Sequence, residues 1–394
     1  MHQVNPINGF HFAGISCGIK HNGHADLGLV YIPDGATVAG VYTKNLVVAA
    51  PVTLSRNADH GGQINALIVN SGNANACTGD IGDRDALEMV TLVADALEIP
   101  QHKVQICSTG VIGQTLPMDV IRTGIAEAVS KLGTENIAAF AEAIRTTDQY
   151  RKVARSQITL GGRTYAIQGI AKGAGMIAPN MATMLAYVFT DAPIDEDRLK
   201  TLWQRVCDQT FNAMTVDGDT STNDTALMLC SGSSSNVLTD EDLGLFEQEV
   251  LAVCDELAHL IIGDGEGATK AVRICVDGAK SHDDARQIAD VVARSPLVMT
   301  ALHGEDANWG RIIAAVGRSG VNVDPKAIQL CFNAVPLYED GKWCGSAAES
   351  AVVGIMKNKR YEILINLHQG TESASVLTCD LTAEYVRINA DYRS

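Results

Sequence analysis

Strand-like and helix-like segments interleave along the whole of this chain without a one-strand, one-helix alternation. Short apolar, β-branched runs bounded by Gly, Asn and Asp read as strands at 27–32, 38–42, 64–70, 165–170, 183–189, 225–230, 271–276, 328–332, 361–367 and 376–381. Apolar residues at helical spacing predict helices over 83–97, 118–132, 195–207, 239–257, 283–293 and 347–356. Strands follow strands directly in several places, which disfavours a doubly wound fold. The pattern fits a mixed α/β class, with helices outside mixed sheets. There is no repeat with a period of roughly 20–50 residues, and no low-complexity linker divides the 394 residues.

A chain of this length, 46% hydrophobic and 19% charged, can build two domains or two intertwined lobes. Its net charge of −16 argues against nucleic acid or an anionic membrane surface as a partner. An anionic small substrate remains open to it, because one buried lysine can set the local potential. No apolar run approaches the ~18–20 residues needed to span a bilayer. The opening residues Met1 to Pro6 lack a basic stretch followed by an apolar one, so the expectation is a cytoplasmic chain. The ten cysteines form no Cys-x-x-Cys pair, and Cys230 and Cys275 sit inside apolar runs. That usage points to buried free thiols in a reducing compartment and to no metal site.

The segment Lys172-Gly173-Ala174-Gly175-Met176-Ile177-Ala178-Pro179-Asn180-Met181-Ala182-Thr183 carries the strongest chemical signal. By residue type alone Thr183 simply suits a buried strand. Its context adds more: Gly173, Gly175 and Pro179 constrain the backbone upstream, and Ala182 leaves room at the carbonyl a hydroxyl would attack. A cut between Ala182 and Thr183 gives the threonine a free α-amine beside its own hydroxyl, a self-contained base and nucleophile. An α-amine titrates near ~7.7–8.0 and a lysine near ~10.4, so at pH 7 roughly one amine in six is free base against about one lysine in 2,500.

Four further segments carry polar groups. At 106–113 a strand enters a Thr109-Gly110 turn, and Pro117 then opens a helix; N–H and hydroxyl donors there can hold an oxyanion, although an ordinary turn would look the same. Residues 211–224 are rich in acids, but Gly218 falls in the wrong place for a calcium loop, and the segment reads as a polar turn beside a site. Residues 263–270 imitate a phosphate loop, yet Lys270 follows its threonine instead of preceding it. Glu266, flanked by glycines, could take the ammonium group of an amino-acid substrate. The end of the chain, 387–394, has none of the composition of a flexible tail and reads as a docked segment offering polar groups.

Taken together, with the motifs at 172–185, 217–224 and 264–270 in that order along the chain and Asn308-Trp309-Gly310-Arg311 after them, these segments resemble the ornithine acetyltransferase (glutamate N-acetyltransferase) family of arginine biosynthesis over essentially the whole chain. The resemblance implies an ornithine-acetyltransferase/aminopeptidase-like sandwich of mixed sheets with flanking helices. It implies self-cleavage between Ala182 and Thr183 into an α-chain (1–182) and an intertwined β-chain (183–394), assembled as α2β2. Thr183 would be the nucleophile of a ping-pong acetyl transfer from N2-acetylornithine to glutamate, with Thr109 and Gly110 as the oxyanion hole. Thr146 or Thr147, Lys172, Thr183, Glu266, Asn389 and Ser394 would contact substrate. No metal or cofactor is implied, and acetyl-CoA is left open as a co-substrate. Ala174 departs from the serine associated with the family; a methyl there should not disable the nucleophile. Two other readings compete: an N-terminal-threonine amidohydrolase or aminopeptidase that uses water as acceptor, and an uncut binding protein for amino-acid ligands.

Overall fold

In the computed structural model, which describes residues 7–57, 61–178, 184–232 and 238–391, the apolar runs assemble into two mixed sheets. The first contains β1 (His11–Ile15), β2 (Leu27–Tyr42), β3 (Gln63–Asn73), β4 (Val104–Val111), β5 (Lys152–Leu160), β6 (Arg163–Lys172), β7 (Leu185–Thr190) and, past the short β8 (Met214–Thr215) of the other sheet, β9 (Thr225–Cys230). Its order is β4-β3-β2-β9-β7-β6-β5, with β1 also paired to β2. The β3/β4 and β7/β9 pairs are parallel and the remainder antiparallel. The second sheet adds β10 (Ala271–Ala279), β11 (Gln329–Phe332), β12 (Val335–Glu339), β13 (Lys342–Trp343), β14 (Arg360–Asn366) and β15 (Glu372–Cys379), in the order β13-β12-β11-β14-β10-β15-β8.

Helices α1 (Ala50–Asn57), α2 (Gly79–Leu97), α3 (Met118–Ser130) and α4 (Ile137–Ala143) belong to the first half; α5 (Glu196–Gln209) and α6 (Asp240–Gly263) follow. Near the second sheet come α7 (His282–Ala293), α8 (Pro296–His303), α9 (Trp309–Gly317) and α10 (Ser346–Met356), and α11 (Ala383–Asp391) closes the described chain.

Strand β7 is buried at every position because both its faces are covered. Ala186 and Val188 meet the α5 and α6 side, where Trp203, Val253 and Leu257 lie. Leu185, Tyr187 and Phe189 face the opposite way, onto Phe10, Phe12 and Phe140. Such a strand reads as a continuous apolar run, without alternation. Helix α6 starts where Thr239 Oγ1 accepts from Asp242 N, and three acids in its first turn complement the helix dipole. Its buried stripe of Phe246, Val250, Val253 and Leu257 shares a core with Ala271, Leu377 and Cys379 of the second sheet, so α6 ties the sheets together.

The mixed α/β architecture expected from the sequence is the one observed, with local differences. The runs at 27–32 and 38–42 are one strand, β2; the Pro33-Asp34-Gly35 step between them is a register irregularity, not a chain reversal. Thr109 and Gly110 lie inside β4, paired to β3, and not in a turn. Residues 387–391 are helical, part of α11, which buries none of its described side chains and so has no apolar stripe to betray it. The strand read at 183–189 is observed from Leu185 onwards.

Candidate active site

Lys172 ends β6 and Leu185 begins β7, and the two are paired across these antiparallel strands, so the chain leaves β6 and enters β7 at the same end of the sheet. Met184 is fixed there on both sides. Its N–H donates to Asp224 Oδ1 at 3.1 Å, and its carbonyl accepts from Thr225 N at 3.2 Å. Asp224 is fully buried, and burial pushes its carboxyl well above the usual carboxylate range; Oδ2 has no hydrogen-bond partner among the described residues.

A cavity of about 440 Å³ opens at this end. The end of β4 brings Thr109 and Gly110 to it, and β6 brings Lys172. Lys172 Nζ donates to Thr109 Oγ1 at 3.2 Å, which leaves the threonine's own proton to donate elsewhere. Gly110 has φ +135°, and a Cβ there would collide with the backbone of Gly72 and Asn73; the close approach of β3 and β4 therefore demands glycine. Asn223 Nδ2 donates to Ser108 O at 2.9 Å and Ala74 O at 2.6 Å, locking both strand ends beside the cavity. Burial pulls the Lys172 ammonium below the usual lysine range; Asp148 opposes that pull and Lys152 adds to it.

The opposite wall comes from Glu266, α11 and the loop before β9. Glu266 N donates to Ala174 O at 2.9 Å, and its Oε2 accepts from Asn389 Nδ2 at 2.8 Å. A methyl on Gly175 would sit 2.6 Å from that same Oε2, so this glycine makes room for the carboxylate. Asp217 takes the N–H of Met176 at 2.6 Å and of Ile177 at 2.9 Å, and Tyr385 OH donates to it at 3.4 Å. Met176 has φ +58°, a left-handed backbone uncommon outside glycine. The Asp217 carboxylate holds the strained corner in place.

Of the residues the sequence marked, Thr109, Gly110, Thr146, Thr147, Lys172, Glu266 and Asn389 line this one cavity. Thr146 and Thr147 both line it. Ala182, Thr183 and Ser394 lie outside the described residues. Ala174, where a serine was associated with the family, contributes its carbonyl to Glu266. Sequence reasoning gave no role to Asp148 or Tyr385, and read Asp217, Asn223 and Asp224 only as parts of a polar turn beside a site. Their signal was adjacency: Asp148 follows Thr147 directly, and Asp217 to Asp224 form one polar run.

Elsewhere the bland readings account for the residues. Lys270, in the imitation phosphate loop, is buried and donates to Glu305 Oε1 at 2.6 Å and Met356 O at 2.8 Å. Asn308 caps α9, and Arg311 donates to Leu297 O at 2.8 Å, tying α9 to α8. All ten cysteines are free, with Cys107, Cys207, Cys230, Cys254, Cys331 and Cys379 buried. Among the described residues no group of His, Cys, Asp or Glu is arranged to hold a metal ion, and no helix is long and apolar enough to cross a membrane.

The cavity thus offers a cation, a carboxylate and hydroxyl and amide donors to a small ligand carrying both charges. The chain is similar along its length to known proteins. The Arginine biosynthesis bifunctional protein ArgJ of Geobacter sulfurreducens is 48% identical over 391 residues, covering 98% of this chain and 100% of the relative. Its namesake in Syntrophotalea carbinolica is 45% identical over 394 residues, covering 98% and 99%. The crystal structure of Arginine biosynthesis bifunctional protein argJ from Bacillus halodurans superposes with a TM-score of 0.50 at 40% identity, covering 98% of that chain and 52% of this one. The ArgJ family model matches residues 11–394, and the chain belongs to that family.

Proposed function

We propose that this chain is an acetyltransferase of arginine biosynthesis that moves acetyl from N2-acetylornithine to glutamate, giving ornithine and N-acetylglutamate. The observation that carries the reading is the convergence of Thr109, Gly110, Lys172, Glu266 and Asn389 on one cavity beside Met184, the residue joined to Thr183. Two substrates with the same amino-acid backbone use that cavity in turn. Lys172 receives the α-carboxylate and Glu266 the cationic side chain of ornithine.

Maturation comes first. The Thr183 hydroxyl oxygen attacks the Ala182 carbonyl, the C–N bond between them breaks, and water hydrolyses the resulting ester to an Ala182 carboxylate and a free Thr183 amine. The chains are then residues 1–182 and 183–394, assembled as α2β2 in the cytoplasm. The Bacillus halodurans structure supports such a division, since nearly its whole chain corresponds to about half of this one, 98% against 52%. In catalysis the Thr183 hydroxyl attacks the acetyl carbon while its proton passes to the α-amine. Thr109 and Gly110 donate to the oxyanion, the C–N bond to ornithine breaks, and the departing amine takes the proton. The glutamate amine then attacks the acetyl-Thr183 ester and frees the hydroxyl.

No metal or cofactor enters this scheme. The relatives' names include the word bifunctional, and the second activity we propose is glutamate N-acetylation from acetyl-CoA. A time course of N-acetylornithine with and without glutamate tests the transfer: ornithine release should depend on glutamate after the first turnover. Release that ignores glutamate would instead identify the amidohydrolase reading. Assaying N-acetylglutamate formed from acetyl-CoA tests the second activity.

A further inference from the structure

At the cavity and directly behind its wall, four charged side chains are packed out of water. Lys152 Nζ lies 2.6 Å from Asp148 Oδ1 and 2.5 Å from Asp264 Oδ2, and all three side chains are fully buried. Lys172, the fourth, is 2% exposed. Buried charges are costly unless paired and hydrogen-bonded, so this arrangement calls for an explanation. The acyl-transfer chemistry itself uses neither Lys152 nor Asp148.

Their other hydrogen bonds supply one. Asp148 Oδ1 also accepts from Gly173 N at 2.7 Å, and Oδ2 from Thr146 N at 2.9 Å. Asp264 Oδ2 accepts from Gln149 N at 3.0 Å, and two residues later the chain reaches Glu266. The 146–149 loop, the Lys172-Gly173 corner and the turn into Glu266 are therefore tied to one buried cation. Each of those segments lines the cavity.

The charges also act on Lys172. Facing it are Asp148 from the loop before β5, Lys152 on β5, Asp224 from the loop before β9 and Glu266 from the turn after α6. Lys20, before β2, also repels it. Burial works against the ammonium, and Asp148 is the foremost of the groups that favour it. For Asp148 the balance is reversed: burial disfavours its charge, but Lys172 and Lys152 outweigh that and hold it well below the usual carboxylate range.

We propose that Asp148 is a positioning residue for acyl transfer, fixing the substrate-binding segments through its hydrogen bonds to Gly173, Thr146 and Lys152 and setting a negative charge beside Lys172, the group that receives the substrate carboxylate. This rests on the reading of Lys172 as the carboxylate site. The test is steady-state kinetics with N-acetylornithine from pH 6 to 9 on the wild-type protein, Asp148→Asn and Lys172→Met, each checked for folding by circular dichroism.

With one anion removed beside Lys172, its ammonium is lost at lower pH. Asp148→Asn should raise KM more than it lowers kcat, and the alkaline rise in KM should begin about one pH unit lower, a tenfold effect at a given pH. A KM profile that superimposes on wild type, or one raised equally at every pH, overturns the proposal. Lys172→Met should give a high KM with no alkaline rise. A wild-type KM in that variant would instead contradict the carboxylate reading of Lys172. Should Asp148→Asn not fold, Lys152→Met serves: it removes a repelling charge, so the rise should move to higher pH, and no shift or a downward shift overturns the proposal.

Discussion

Two glycines set the tolerances of the cavity, and each makes a separable prediction. Gly110 holds β4 against β3 where any side chain would meet the backbone of Gly72 and Asn73. Backbone cannot give way as a flexible side chain can, so Gly110→Ala should displace the end of β4 with its Thr109 and Gly110 donors. The expected loss is about 10²-fold in kcat, read by steady-state assay on folded protein, because small misplacements of reacting groups cost that much. Gly175 differs, since its close neighbour is the far end of Glu266. Gly175→Ala should push that carboxylate off Asn389 with little change in thermal midpoint. KM for the cationic substrate should rise about tenfold, the scale of one lost hydrogen bond to a charged group. A fall in midpoint with KM unchanged would show that Gly175 serves packing instead.

At the scale of elements, α11 is the least anchored wall of the cavity. Its described side chains are not buried. Tyr385 OH to Asp217, Asn389 to Glu266 and Thr382 Oγ1 to Gly267 O at 2.9 Å hold it and its entry. Deleting residues 383–394 should therefore leave the thermal midpoint nearly unchanged while raising KM strongly; a collapse of the midpoint would contradict this account of the helix.

The same helix marks a limit of sequence reading. Burial writes itself into a continuous apolar run at β7 and into helical apolar periodicity at α5 and α6, and those elements were legible. Helix α11 has polar residues on all sides, and the exposed face of β5 breaks up its apolar run, so neither left a pattern. The site was legible where it lies in compact motifs such as Lys172 to Gly175. Asp148 and Asp224 were not, because their importance comes from what folds against them: Lys152 and Gly173 for one, Met184 for the other.

At the scale of the whole molecule, the strands that flank the proposed cut in sequence are paired with each other and with the rest of the sheet. Strand β7 pairs with β6 on one side and with β9 on the other, and β9 pairs with β2. The two strands of this sheet that follow residue 183, β7 and β9, thus lie side by side between β6 and β2, which precede it, so the two chains should co-elute under native conditions and separate only in denaturant. Separation on a native column would contradict that interlocking. The central claim is that Thr183 is both the new terminus and the acyl carrier. Mass spectrometry of protein incubated with N-acetylornithine in the absence of glutamate tests it most directly. The expected result is chains of residues 1–182 and 183–394, an acetyl group on the peptide beginning at Thr183, and loss of that group when glutamate is added. An uncut chain that still transfers acetyl, or transfer that survives in Thr183→Ala, would contradict it.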